Sequence, residues 1–176
     1  MFLFFKCYTG GLVTPEEKYA LHYREMAKIC SEQGWGDPFS YARSKEILAA
    51  NKLGHTIAAT LSGADAFNEK GQPVEYKSTI QDKCKGAYTG ISVLDTWGEQ
   101  VEYLFNEKIA KYPEHYFNRF KDGEMVESWV MSGDKVFEIL VSKMESKFPT
   151  VRQKKDPRLS ANISNTEIRK YGRRLI

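Results

Sequence analysis

The segment HTIAATLSGADAFNEKGQPVEYKSTIQ, residues 55–81, constrains the fold more than any other stretch of the chain. Its centre, Asn68 to Pro73, is built from residues that reverse a backbone: asparagine and glycine accept left-handed conformations, and proline interrupts ladder pairing. The residues on either side suit extended chain, so the segment predicts two strands, 55–67 and 74–81, joined as a hairpin. If the first strand runs without a bulge, Ile57, Ala59, Leu61, Gly63, Asp65 and Phe67 share one face. On the second, Glu75, Lys77 and Thr79 do.

Helical period and capping residues place the other elements. Thr14, Pro15 and Glu17 predict a capped helix opening at TPEEKYALHYREMAKICSEQG. A second helix is expected from about Pro38 to Leu53, with Gly54 as its stop. AYTGISVLD predicts a third strand, and TWGEQVEYLFNEKIAKY a helix capped by Thr96 and ended by Pro113. HYFNRF and MVESWVM around KDGE predict a second hairpin. DKVFEILVSKMESKF predicts a helix with Val136, Ile139, Leu140 and Met144 on one face. The expected class is α/β, a mixed central sheet flanked by helices, and 176 residues suit a single domain spanning 1–176.

Composition removes several classes of protein. With 41% hydrophobic residues, three Trp, ten Tyr and ten Phe, the chain can build a core and is not disordered. Cys7, Cys30 and Cys84 are odd in number and lack zinc-ligand spacing, which argues against a disulfide scaffold and a zinc site. The apolar opening MFLFFKCYTGG is short and interrupted by Lys6, so it predicts a strand rather than a signal peptide. No later run reaches membrane-spanning length, and the expectation is a cytoplasmic protein without membrane association.

The charged residues of the hairpin raise the question of chemistry. Glu75 and Lys77 allow a bland reading, an ion pair on a sheet edge worth little to stability. Glu46, however, falls in the middle of an apolar stripe of the second helix formed by Phe39, Ala42, Ala49, Ala50 and Leu53. It either pairs with Arg43 one turn back or faces the sheet, where a carboxylate needs positive charge nearby. Asp65 either begins the turn or ends the apolar row of its strand. With Glu46, Asp65 and Glu75 converging around Lys77, the site carries an excess of negative charge that a cation must balance. Carboxylate ligands without a suitable Cys/His set point to Mg²⁺. His22, His55 and His115 stand in no recognisable catalytic triad.

These residues carry a resemblance. GADAFNEKGQPVEYKST resembles the active-site hairpin of the PD-(D/E)XK nuclease superfamily, with Asp65, Glu75 and Lys77 as its aspartate, acidic residue and lysine. Gly63-Ala64-Asp65 lacks the proline that names the motif. Glu46 in RSKEILAANKLGH matches the helix glutamate frequent in that superfamily, and helix, three strands, helix, strand over about 38–120 is similar to its core. The compact size and basic end look most like a type II restriction endonuclease. The resemblance implies Mg²⁺-dependent cleavage of double-stranded DNA, usually by a homodimer. The alternatives are a structure-selective or DNA-repair nuclease with the same core, and a DNA-binding module without catalysis.

Residues 152–174 hold eight basic and two acidic side chains in a chain of net charge +3, so the remainder is mildly acidic. Such an end suits a polyanion or is plain solvated helix and tail. Within it, Arg158, Asn162 and Asn165 have side chains suited to base edges. Lys154, Lys155, Arg169, Lys170, Arg173 and Arg174 suit phosphates.

Overall fold

The computed structural model of the protein describes residues 13–60 and 63–176. The expected N-terminal strand, Cys7 and Leu61 lie outside the described residues. Helix α1 (Pro15–Gln33) opens on the anticipated capping box: the Thr14 hydroxyl accepts from the Glu17 amide at 3.2 Å, and the Glu17 carboxylate accepts from the Thr14 amide at 2.9 Å. Helix α2 (Arg43–Leu53) starts five residues later than expected. Asp37 accepts from the Phe39 amide and the Ser40 hydroxyl, and this local turn competes with the helix for residues 38–42. Gly54 ends α2 in left-handed conformation, φ 72°, as the sequence predicts.

The long first strand is not formed. Two short strands, β1 (Thr56–Ile57) and β2 (Ala66–Phe67), pair antiparallel with each other, Thr56 opposite Phe67 and Ile57 opposite Ala66. The chain therefore folds back between them, with Gly63 at φ +98° on the way, a conformation open to glycine and poor for other residues. Of the expected apolar row, Ile57 falls on β1 and Phe67 on β2, while Ala59, Gly63 and Asp65 lie outside both strands. The hairpin after it is as expected: β2 pairs antiparallel with β3 (Pro73–Thr79). The Asn68 side chain accepts from the Lys70 and Gln72 amides and locks the turn.

β3 runs parallel to β5 (Glu114–Lys121), which forms the second expected hairpin with β6 (Glu124–Ser132). Between β3 and β5 lie β4 (Gly86–Ser92) and α3 (Trp97–Tyr103), capped by Thr96 and followed by a π-helical turn, Leu104–Lys108. α4 (Gly133–Glu145) buries Val136, Leu140 and Met144.

The basic end is not a solvated tail. It folds as α5 (Phe148–Arg152), β7 (Arg158–Ile163), α6 (Asn165–Tyr171) and β8 (Arg173–Arg174). Leu159, Ala161, Ile163 and Ile168 are buried there, so period-2 alternation outweighs the charges around it. β4 joins β7 in a separate antiparallel ribbon instead of extending the main sheet, whose order is β1-β2-β3-β5-β6-β8.

The result is a mixed α/β fold with a mixed sheet. One cluster, with Ala49, Ala50, Val74, Tyr76 and Tyr116, joins α2 to the sheet. The other, with Phe117, Met131, Leu140, Leu159 and Ile163, joins the sheet to α4 and the ribbon. α1 buries only Cys30. Among the described residues no helix is long and apolar enough to cross a membrane.

Candidate functional site

The hairpin and α2 bring Glu46, Asp65, Glu75 and Lys77 to one cleft of about 290 Å³. Alternation along β3 explains half of this: Tyr76 turns into the core, and Glu75 and Lys77 turn out beside it. Pairing between β2 and β3 explains Asp65, whose amide donates to the Val74 carbonyl while its carboxylate accepts from the Tyr76 amide at 2.6 Å. Glu46 comes from the face of α2 that packs on the sheet through Ala49 and Ala50. Phe39, expected on that same stripe, precedes the helix and stacks on Tyr23 instead.

Burial pushes the Asp65 carboxyl up to about 8, and the neighbouring Glu75 charge adds to this while the Tyr76 N–H opposes it. Glu46 is also raised by burial, against the pull of Arg43. Arg43 is itself 1% exposed and spends its guanidinium on the Trp35 and Ala58 carbonyls and on Glu46, 3.3 Å away. The Arg43–Glu46 and Glu75–Lys77 ion pairs that the sequence allowed are both present, the second at 2.5 Å. They do not remove the carboxylates from the cleft.

Among the described residues, no group of three or more His, Cys, Asp or Glu side chains is arranged to hold a metal ion. Each carboxylate points to an internal partner: Glu46 to Arg43, Asp65 to the Tyr76 amide, Glu75 to Lys77. The donor chemistry nevertheless fits a hard divalent cation, because all three acidic side chains offer oxygen. Burial, and after it the Glu75 charge, disfavours the ionised form of Asp65, a cost that such a cation would offset.

Three residues here escaped the sequence reading. Lys85, just before β4, and Ala87, within it, line the cleft. Tyr88 lies under Lys77, its ring centroid 4.7 Å from Nζ. The Tyr88 hydroxyl donates to His115 Nδ1 at 2.8 Å, since His115 Nε2–H donates to the Ile109 carbonyl at 3.0 Å. Only the run Asp82-Lys83-Cys84-Lys85, directly after the Glu75/Lys77 strand, signalled that region in the sequence.

The nine candidate DNA contacts are dispersed. Asn162 stands opposite the cleft-lining Ala87 in the β4–β7 register. Asn165 is half-buried at the start of α6, and its Oδ1 has no hydrogen-bond partner among the described residues. Arg158 pairs with Asp156 and donates to Ser92, and Arg169 pairs with Glu127 and covers the Trp129 ring. Arg173 and Arg174 lie on β8, three strands from β3 or roughly 14 Å at ordinary strand spacing. Lys170 packs on Tyr171, and Lys154 and Lys155 are exposed beyond α5. No protein-family model matches the chain, and no curated protein matches it.

Proposed function

We propose that the protein is a Mg²⁺-dependent endonuclease that hydrolyses phosphodiester bonds of double-stranded DNA, in the manner of a type II restriction enzyme with a PD-(D/E)XK site. One observation carries this reading: three carboxylates and a lysine from α2 and a β-hairpin line a single cleft, with the buried Asp65 pushed up to about 8. Asp65 and Glu75 would hold the ion, with Glu46 beside them. When bound, Mg²⁺ supplies positive charge for a phosphoryl group and lowers the pKa of nearby water.

The remaining roles belong to the chain. The Lys77 ammonium, already inside the cleft, orients the attacking water through Nζ and offsets charge on the pentacovalent phosphorus. A bond forms from the water oxygen to phosphorus as the bond from phosphorus to the leaving sugar oxygen breaks. The proton lost by the water goes to solvent, and the leaving oxygen takes one up. The Tyr76 N–H fixes Asp65, and Arg43 fixes Glu46.

A cytoplasmic homodimer belongs to the same proposal. The exposed apolar side chains of α1, Tyr19, Leu21, Tyr23, Met26 and Ile29, support it as a candidate interface. A second reading, a DNA-binding module without catalysis, is favoured by the two ion pairs that occupy Glu46 and Glu75.

Incubation with unmethylated plasmid and Mg²⁺ separates the readings. Discrete bands support a restriction enzyme, cleavage confined to added branched or damaged duplexes supports a repair nuclease, and no cleavage of plasmid or of those duplexes supports the binding module. Asp65→Ala and Lys77→Ala are each expected to lower cleavage by orders of magnitude with DNA binding retained. Ca²⁺ is expected to permit binding and suppress cutting. Near-normal cleavage by either variant, or full activity in EDTA, overturns the assignment.

A further inference from the structure

The cleft continues past Lys77 into a loop that neither the sequence reading nor the proposed chemistry uses. Lys85 lines both the cleft and a second open depression of about 400 Å³, bounded by Gln81, Asp82, Lys83, Cys84 and Asn165. The two depressions share Lys85, just beyond the end of β3. We propose that the loop Ile80–Lys85 grips the nucleic-acid strand that leaves the cleft, with Lys83 and Lys85 on its phosphates and Ile80 against its sugars and bases. This rests on the phosphodiester reading of the cleft.

Three observations converge on that partner. The loop is anchored at both ends: the Gln81 amide donates to the Thr79 hydroxyl at 3.1 Å, and Cys84, 1% exposed, directs its thiol to the Phe117 carbonyl at 3.7 Å. Its outward side chains are thus presented by a fixed backbone.

The cations are also accessible. Among the described residues Lys83 and Lys85, both exposed, form no ion pair, whereas Arg152, Arg158 and Arg169 of the basic end are paired with Asp95, Asp156 and Glu127. Among the described residues no carboxylate pairs with either lysine, and Asp82 is the one acidic side chain of the loop.

Ile80 supplies the third observation. At 74% exposure it is the most exposed large aliphatic side chain among the described residues, and it directly follows the strand of Glu75 and Lys77. An apolar side chain flanked by cations suits a nucleic-acid strand, whose sugars and base faces are apolar and whose phosphates are not. An acidic protein surface would engage the lysines and leave Ile80 in water.

The test is a binding titration of the whole chain on a short labelled duplex in Ca²⁺ at several salt concentrations. Lys83→Ala with Lys85→Ala is expected to weaken affinity roughly tenfold and to flatten the salt dependence by about two units, one for each lost phosphate. The charge-matched pair Lys154→Ala with Lys155→Ala is expected to change neither. Equal loss in both pairs overturns the proposal in favour of a diffuse field. Ile80→Trp is expected to add indole emission that DNA quenches, and an unquenched indole overturns the Ile80 contact.

Polyglutamate that binds as tightly as DNA, with the same loss in the lysine pair, overturns the nucleic-acid partner in favour of an acidic protein. Cleavage separates this proposal from the one beneath it. A wild-type chain that binds DNA through the loop but cuts nothing with Mg²⁺ keeps the loop and removes the nuclease. One that cuts as well after the lysines are removed as before does the reverse.

Discussion

Lys77 is held from two sides by groups of different character. Glu75 offers a full negative charge at 2.5 Å, and Tyr88 offers the face of a buried ring at 4.7 Å. A cation engaged by Glu75 would weaken the first hold and leave the second. Tyr88 is therefore expected to keep Nζ in place during the proposed hydrolysis, with a contribution of about 0.5–2 kcal/mol typical of cation–π contacts. Tyr88→Phe retains the ring but leaves His115 Nδ1 without its donor, which costs about 1–2 kcal/mol of stability with little effect on rate. Tyr88→Leu removes both and is expected to lower kcat by roughly 3- to 30-fold at unchanged KM. Urea unfolding beside steady-state cleavage separates these effects, and equal kcat in the two variants would assign Tyr88 to the core alone. The sequence showed Asp65, Glu75 and Lys77 together because a short hairpin brings its own residues face to face. Tyr88 could not be seen that way, since nothing local brings β4 beneath β3.

At the level of elements, the signals that proved legible are those satisfied within a few residues. The capping boxes at Thr14 and Thr96, the Gly54 stop and both hairpin turns formed as their side chains dictate. What failed depends on distant partners. Residues 55–67 look like one strand, but the backbone turns back to pair Thr56 with Phe67. β4 has the residues of a sheet strand and pairs with β7, more than 60 positions later in the chain, in a separate ribbon. The glycines divide in the same way. A side chain at Gly133 would press on the Tyr112 carbonyl oxygen, a backbone atom that cannot yield, whereas at Gly98 in the first turn of α3 it would meet nothing within 4 Å. Gly133→Ala is expected to destabilise by about 1–3 kcal/mol. Gly98→Ala is expected to stabilise by about 0.5–1 kcal/mol, through helix propensity and a less flexible unfolded chain. Thermal melts of both variants check the contrast, and a shared sign would contradict it.

Across the whole molecule, two buried groups on different elements pull stability in opposite directions with pH. His115 links β5 to the ribbon through Tyr88, and burial lowers it to about 4 from an ordinary 6.5. The unfolded chain takes up that proton first, so the stability His115 contributes is complete above 6.5 and is lost as pH falls toward 4. Asp65 behaves in the reverse sense. Its carboxyl, raised from 3.8 to about 8, stays protonated in the fold after the unfolded chain has released its proton, so stability is lost as pH rises through 8. Each group alone imposes a slope of at most about 1.4 kcal/mol per pH unit. Between pH 5 and 6.5 the slopes oppose and the wild-type protein is expected to show little change. Between 6.5 and 8 only the Asp65 slope remains, and stability falls. Asp65→Asn still accepts the Tyr76 N–H but removes the titration. Its stability is expected to rise from pH 5 to 6.5 and then level off, exceeding that of the wild type at pH 8. Mg²⁺ is expected to raise the wild-type melting temperature more at pH 8 than at pH 6, since the ion has less of the Asp65 proton to displace as pH rises, and to leave the variant unmoved. Parallel pH profiles for the two proteins in EDTA would show that Asp65 is ionised throughout, and the charge argument for a cation in this cleft would lose its basis.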